Sequence, residues 1–396
     1  MDIIVHRGTH QIGGCSTEIV TNQGRIFIDM GAELPDQDGN QKRNPLSIDG
    51  VTQGNKNCDA VLFTHNHGDH IGEVSNILED IPLYTGEATK EIYQLLQSRI
   101  RNGDPRALEK VNTFKPGKPF QVKDILITPL LVDHSAYDAY MFLIKAEGKK
   151  ILHTGDFRSH GFRGKGLIPT LKKYVGQVDV LITEGTQLSR DFSKSVTEYE
   201  LKVKAQKLLN DYKYVFIFCS STNLDRIALF HESTPKGKYF LCDQYQLDVI
   251  KVFRKYAGKH TSLYHFNKAL TMGKNIEPQI EQRGFCMLLR AGNASNKSLA
   301  YYKEHFNDET LLIYSMWDGY LYQENNPIGT VIKEFKNVEH LHTSGHATKQ
   351  TIIEVCNTVK PQKGIIPIHI ENPELMNNLS LDLPIVILND REKFTI

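Results

Sequence analysis

The sequence predicts an α/β protein in two domains: a strand-rich layered domain made by both ends of the chain, and a parallel-sheet insert between them. Three observations predict this. Short β-type runs crowd the first half before any long helix. Near residue 190 the order changes to regular strand–helix alternation. Short elements return after about residue 335. The length of 396 residues is also long for one compact core.

Taken in order, Ile3–Val5, Thr17–Val20 and Arg25–Asp29 read as strands, with Gly13-Gly14 and Gly24 as turn residues. Ala60–Phe63 is a compact apolar run that stops at Thr64, and a helix is expected over Ile71–Leu78. A helical pattern over Lys90–Ile100 precedes strands at Ile125–Val132, Tyr140–Lys145, Lys150–His153 and Val178–Thr183. Ser195 followed by Glu198 reads as a capping box opening a helix to about Asn210. The insert then alternates: strand Tyr214–Phe218, helix from Asn223, strand Tyr239–Cys242, helix Leu247–Tyr256, strand Phe285–Leu289, helix Lys297–Phe306 and strand Leu311–Tyr314. Strand Val338–His342, helix Thr348–Val359, strand Gly364–His369 and a last strand Ile385–Leu388 complete the chain. The expected domains are 1–194 and 336–396 together, with 195–335 inserted.

Composition narrows the class. Hydrophobic residues make up 40% and charged residues 23%, ordinary values for a globular protein. The net charge of +1 gives no global basic excess, so any affinity for nucleic acid must come from a local surface. The six cysteines lack zinc-finger or disulfide-framework spacing and read as thiols in a reducing compartment. Met-Asp-Ile-Ile-Val at the N-terminus is not a signal peptide, and no run reaches the ~20 apolar residues of a membrane span. A cytoplasmic protein without a membrane partner is expected. The oligomeric state is open, and a homodimer is compatible with the sequence.

The chemistry concentrates in Thr64-His65-Asn66-His67-Gly68-Asp69-His70. Three histidines and an aspartate lie just after an apolar strand, where a short loop can aim several side chains into one space. Imidazole nitrogens and carboxylate oxygens suit zinc. His65 and His67 alternate and can face one ion; Asp69 and His70 can face a second. Four residues cannot close two sites, so further ligands are expected at later strand ends. Asp133-His134-Ser135 follows Ile125–Val132, and Gly155-Asp156 follows Lys150–Thr154. His134 would complete the first site, and Asp156, with two oxygens, can bridge both.

This pattern resembles the metallo-β-lactamase superfamily, which implies an αββα sandwich with two metal ions. Gly13-Gly14 and Asp29-Met30-Gly31 also look like that family's N-terminal half. Three further segments resemble its β-CASP branch, and within it the ribonuclease J-like proteins. They are Thr183-Glu184-Gly185, Thr343-Ser344-Gly345-His346-Ala347 and Pro367-Ile368-His369-Ile370-Glu371. The inserted α/β segment lies between the first and second of these, as the β-CASP domain does in the family. The resemblance adds His369 to the ligands of the second ion, beside Asp69, His70 and Asp156. It places His346 next to the scissile phosphate as general acid, with Glu184 orienting it. Histidine at 369 resembles members that act on RNA; those acting on DNA tend to have valine there.

The expected activity is therefore metal-dependent phosphodiester hydrolysis of RNA. Two zinc ions, with manganese also compatible, would lower the pKa of a bound water, and Asp69 could serve as base. A small-molecule ester or phosphodiester hydrolase of the same fold, and a DNA nuclease, remain the alternatives. The metal site is expected in a cleft between the domains. Candidate substrate contacts are Ser221, Asn223 and Arg226 at a helix start, Arg158 in the loop after Asp156, and Ser344 with Gly345 beside His346. A helix cap by Ser221 or Asn223 is an equal alternative for that segment. Where ribonuclease J-like chains carry a glycine–glutamine-rich turn, this one reads Tyr314-Ser315-Met316-Trp317-Asp318-Gly319-Tyr320, and Trp317 and Tyr320 are expected in the core.

Overall fold

A computed structural model describes residues 1–35, 44–100, 103–190, 196–272, 277–290, 297–322 and 327–396. The described residues before Val196 and those from Gly345 to Ile396 form one compact unit; Val196–Ser344 forms the other.

The first unit holds two sheets. One has seven strands in the order Lys393–Thr395, Asp2–Arg7, Ser16–Val20, Arg25–Ile28, Ala60–Leu62, Leu83–Gly86, Asn112–Phe114. The other has six: Gly364–Ile368, Val180–Glu184, Lys149–His153, Ala139–Ala146, Ile125–Val132, Phe120–Val122. Strand Ala139–Ala146 shows why the unit is layered. Side chains alternate across a strand. Tyr140, Phe142, Ile144 and Ala146 enter the core shared with Ile3, Val5, Ile26 and Ile28 of the other sheet. Ala139, Met141 and Leu143 enter a second core with Leu167, Leu171 and Val355 on the helical side. Helix Glu87–Gln97 contributes Tyr93 to a third core with Phe27, Val61 and Phe63 on the opposite side. The layers are thus α, β, β, α. Burying one large apolar side chain contributes roughly 1.5–3 kcal/mol, so the buried faces of these strands are mainly apolar.

Strand direction decides which ends meet. Lys149–His153, Val180–Glu184 and Gly364–Ile368 pair in parallel. Ile125–Val132 is antiparallel to Ala139–Ala146, which is antiparallel to Lys149–His153, so its end points the same way. Arg25–Ile28 and Ala60–Leu62 are parallel in the other sheet. The carboxyl ends of parallel strands are where open α/β sheets place their sites.

The second unit is a six-stranded sheet, parallel throughout, in the order Ala269–Thr271, Tyr239–Cys242, Phe285–Leu289, Tyr214–Cys219, Thr310–Ser315, Val338–His340. Val338–His340 was expected to begin the return to the first domain. It instead extends this sheet's edge beside Thr310–Ser315, so the second unit runs to Ser344. The cap of helix Glu198–Asp211 also differs. Thr197 is its N-cap in a capping box with Glu200, while Ser195 lies outside the described residues. The helix expected at Ile71–Leu78 starts earlier, as the single turn Gly68–Ile71 followed by a 3₁₀ turn at Val74–Asn76. Ile385 makes only an isolated bridge to Ile365. The final strand is Lys393–Thr395, paired with Asp2–Ile4. Among the described residues, no helix is long and apolar enough to cross a membrane.

Candidate active site

Every proposed metal ligand lies in the first unit, at the strand ends that point one way. Single ligand atoms from His65, His67 and His134 lie within 4.8 Å of one another, as do those from His65, His70 and Asp156. Asp156 Oδ2 is 3.1 Å from His70 Nε2, 3.8 Å from both His134 Nε2 and His369 Nε2, and 4.0 Å from His65 Nε2. Asp69 Oδ2 lies 3.1 Å from His369 Nε2.

Four of these histidines are held through Nδ1. Thr64 Oγ1 lies 3.0 Å from Nδ1 of His65. His70 donates Nδ1–H to Asp29 at 2.7 Å, His134 to the Gly345 carbonyl at 2.7 Å, and His369 to Thr186 Oγ1 at 2.7 Å. Fixing Nδ1 sets the ring's orientation and leaves Nε2 as the donor atom. Burial and then the neighbouring imidazoles push His65 well below its ordinary range. Burial lowers His67 to about 4 and drives His134 well down. These rings are neutral, as ligation requires. Burial opposes ionisation of Asp156, but His369, His70 and His346 override it and hold the carboxylate well below its usual range. Asp69 is lowered as well: burial again opposes, and His70 and His369 prevail.

The fit to a cation follows from atoms left over. His65 Nε2, His70 Nε2 and both carboxylate oxygens of Asp156 are buried without a hydrogen-bond partner among the described residues. His70 Nε2 approaches Asp156 Oδ2 closely, but not in hydrogen-bond alignment. An unsatisfied buried polar atom costs about 1–3 kcal/mol, so four side by side describe a site completed by something positive. Nitrogen and carboxylate donors suit zinc or manganese.

Beside this cluster sits a His–Glu pair. His346 donates Nδ1–H to Glu184 Oε2 at 3.0 Å. The other oxygen, Oε1, accepts from the backbone of Phe157 at 3.0 Å and of Ala347 at 3.1 Å, so the carboxylate is fixed. Burial alone would lower the His346 pKa. The charges of Glu184 and Asp156 outweigh it and raise it to about 9.

Residues 25–217 match the beta-lactamase superfamily domain, and residues 334–376 match a Zn-dependent metallo-hydrolase RNA specificity domain. The second match contains His346 and His369. These two segments carry the metallo-β-lactamase-type hydrolase domains. It is similar to Ribonuclease J of Mycoplasma genitalium, 24% identical over 91% of this chain and 66% of that protein. It is also similar to Ribonuclease J of Mycoplasma pneumoniae, 24% identical over 93% of this chain and 67% of that one. The chain thus spans about two thirds of the length of these relatives. A crystal structure of a protein of unknown function from Enterococcus faecalis V583 shares the fold, with a TM-score of 0.77, 18% identity and coverage of 100% of this chain and 99% of that one. The superfamily match and the His/Asp cluster together make this a metal-binding hydrolase fold.

Around the metallo-β-lactamase ligands the structure revises several expected substrate contacts. Arg158 is fully buried, and its Nε donates to Asp133 Oδ1 at 3.1 Å. Arg163 of the same loop reaches the His134 carbonyl at 3.2 Å. This loop braces the His134 turn, so Arg158 is a scaffold residue. Arg226 is also fully buried. It pairs with Glu198 at 3.0 Å through both Nε and Nη2, and donates to Ser315 and to the carbonyls of Leu341 and Thr343. Its five donors are engaged within the second unit, which withdraws it from substrate. Asn223 caps helix Leu224–Ser233 by accepting from Arg226 N at 3.1 Å, so the capping alternative holds there. Ser221 is buried in the turn before it, and Ser344 is half-buried. Gly345 lets His134 approach: a Cβ there would sit 2.2 Å from Ser135 Oγ. Trp317 and Tyr320 are not core residues. Both are exposed and meet edge to face at 5.4 Å.

Three supporting residues escaped the sequence reading. Asp29, known only as part of a turn motif, anchors both His70 and Thr64. Its φ of 63° and that of His369, 50°, are left-handed conformations that cluster at functional sites. Thr186 contacts His369 Nδ1 and lies 3.2 Å from His346 Nδ1. Gln187 donates to the His346 carbonyl at 3.1 Å. Thr186 lies two residues past Glu184, which was the one signal available.

Proposed function

We propose that this chain is a metal-dependent ribonuclease that works with two zinc ions. The observation that carries the reading is convergence. The segment matching an RNA specificity domain delivers His346 and His369 to the same corner as the His65–His70 motif. The similarity to Ribonuclease J over nine tenths of the chain supports the same substrate class.

His65, His67, His134 and Asp156 would hold one ion; Asp69, His70, Asp156 and His369 would hold the other. Bound there, the ions would supply Lewis acidity at the phosphate and lower the pKa of water toward neutrality. Asp69, at the edge of this cluster, would orient the attacking water and accept its proton. Displacement at phosphorus puts negative charge on the departing oxygen. His346 meets it with a proton from Nε2, since Glu184 already occupies Nδ1. Its raised pKa keeps that proton available at neutral pH. A cation on Asp156 would remove part of this support and leave Glu184 as the main one.

The test is cleavage of end-labelled single-stranded RNA and matched DNA by the zinc-loaded protein, with Asp69→Ala plus His70→Ala as control. RNA cleavage that the control abolishes is expected. Failure to cut either polymer with metal demonstrably bound would contradict the reading and favour a small-molecule ester or phosphodiester substrate. Preferential cutting of DNA would make the protein a DNA nuclease.

A further inference from the structure

Six cysteines are free and buried, but their surroundings divide them. Cys58 and Cys356 pack inside apolar clusters. Cys242 directs its thiol to the Leu270 carbonyl at 3.7 Å. These behave as small hydrophobic residues. Cys219, Cys286 and Cys15 lie outside those clusters, and among the described residues Cys15 alone is grouped with two histidines.

Its sulfur, a ring nitrogen of His70 and a ring nitrogen of His369 lie within 4.8 Å of one another, and all three residues are buried. His70 Nε2 is one of the unpartnered buried atoms. The placement is built in. Cys15 N donates to the Asp69 carbonyl at 3.0 Å, and Gly31 N donates to the Cys15 carbonyl at 3.0 Å, so its backbone is tied to the metal motif. Gly8, at φ +114°, makes the space: a Cβ there would come within 3.2 Å of the sulfur and 3.6 Å of His369 N.

We propose that Cys15 is a thiolate donor to the ion held by Asp69, His70, Asp156 and His369, and that it biases this position toward thiophilic metals. The proposal rests on the metal-centre reading above. On ligation the S–H bond breaks, the sulfur keeps the electron pair and bonds the cation, and the proton leaves to solvent. Sulfur ligands favour zinc and cobalt over manganese, which prefers oxygen. Nitrogen and carboxylate donors alone leave that choice open.

Cobalt(II) titrated into the chelated full chain tests this without reference to activity. The wild type should show a near-ultraviolet thiolate-to-cobalt charge-transfer band together with visible d–d bands. Cys15→Ser should retain the d–d bands and lose the charge-transfer band. Its preference for zinc over manganese should fall by about 10–100-fold. Cys15→Ala, checked for native circular dichroism, guards against a local effect of serine. Cobalt bound to the wild type with d–d bands but no charge-transfer band would overturn the role of Cys15 and leave the metal centre standing. No cobalt uptake would overturn both.

Discussion

Asp156 and Arg226 are both charged and both buried, yet the protein treats them in opposite ways. Arg226 meets a carboxylate, a hydroxyl and backbone carbonyls, all from the second unit. Asp156 lies in the first unit with both oxygens lacking a hydrogen bond among the described residues, facing imidazoles whose Nε2 atoms point inward. Burial alone does not separate scaffold from site. What separates them is whether the chain supplies the partners. A buried charge fully matched by its own protein holds the fold together. Buried donors left unmatched as a group await a ligand.

The contrast predicts that damage to the two regions will read out differently. The largest effect should come from Asp156→Ala: RNA cleavage should fall by about 10⁴-fold or more, as when one member of a catalytic unit is removed, and bound metal should fall with it. If metal content held while activity vanished, Asp156 would be a base rather than a bridging ligand. His346→Ala should lower kcat by about 10²–10⁴-fold with metal content unchanged. Glu184→Gln should follow with a smaller loss, about 10–100-fold, and a shifted pH profile. A variant of His346 that lost its metal would place that residue among the ligands instead.

Arg226→Ala should act on stability. Leaving Glu198 unpaired inside the second unit should cost about 3–5 kcal/mol in chemical denaturation. The double change Arg226→Met plus Glu198→Leu should recover most of that. A larger loss in RNA affinity than in stability would return Arg226 to the substrate surface. Removing metal with a chelator should destabilise the wild type by about 2.7 kcal/mol relative to protein in metal at 100 times its Kd. Thermal unfolding of the Asp156→Ala variant should be indifferent to chelator. The smallest effect belongs to Thr197→Ala, about 1 kcal/mol from loss of the helix cap.

The sequence was most legible where chemistry is local. His65, His67, Asp69 and His70 fall within six residues, and their spacing alone pointed to two metal positions. His134 and Asp156 were readable because each follows an apolar run, and two successive antiparallel pairings then turn those strand ends the same way; Glu184 came with the family resemblance. Partners distant in sequence were not legible. Nothing around Arg226 announces Glu198, 28 residues away, and Arg158 looked like a phosphate ligand because Asp133 stands 25 residues earlier. Strand Lys393–Thr395 is too short and charged to declare itself, and its partner is Asp2–Ile4 at the far end of the chain. Asp29 read as a turn residue, and Thr186 carried no signal of its own, until the histidines they contact had been placed beside them.

The most direct measurement is the metal content of the purified protein by mass spectrometry, made alongside Asp156→Ala and Arg226→Ala. Two ions per wild-type chain, retained by folded Arg226→Ala and lost from Asp156→Ala, is the expected result. A wild-type chain that stays metal-free in excess zinc, or an Asp156→Ala variant that keeps both ions, would contradict the account.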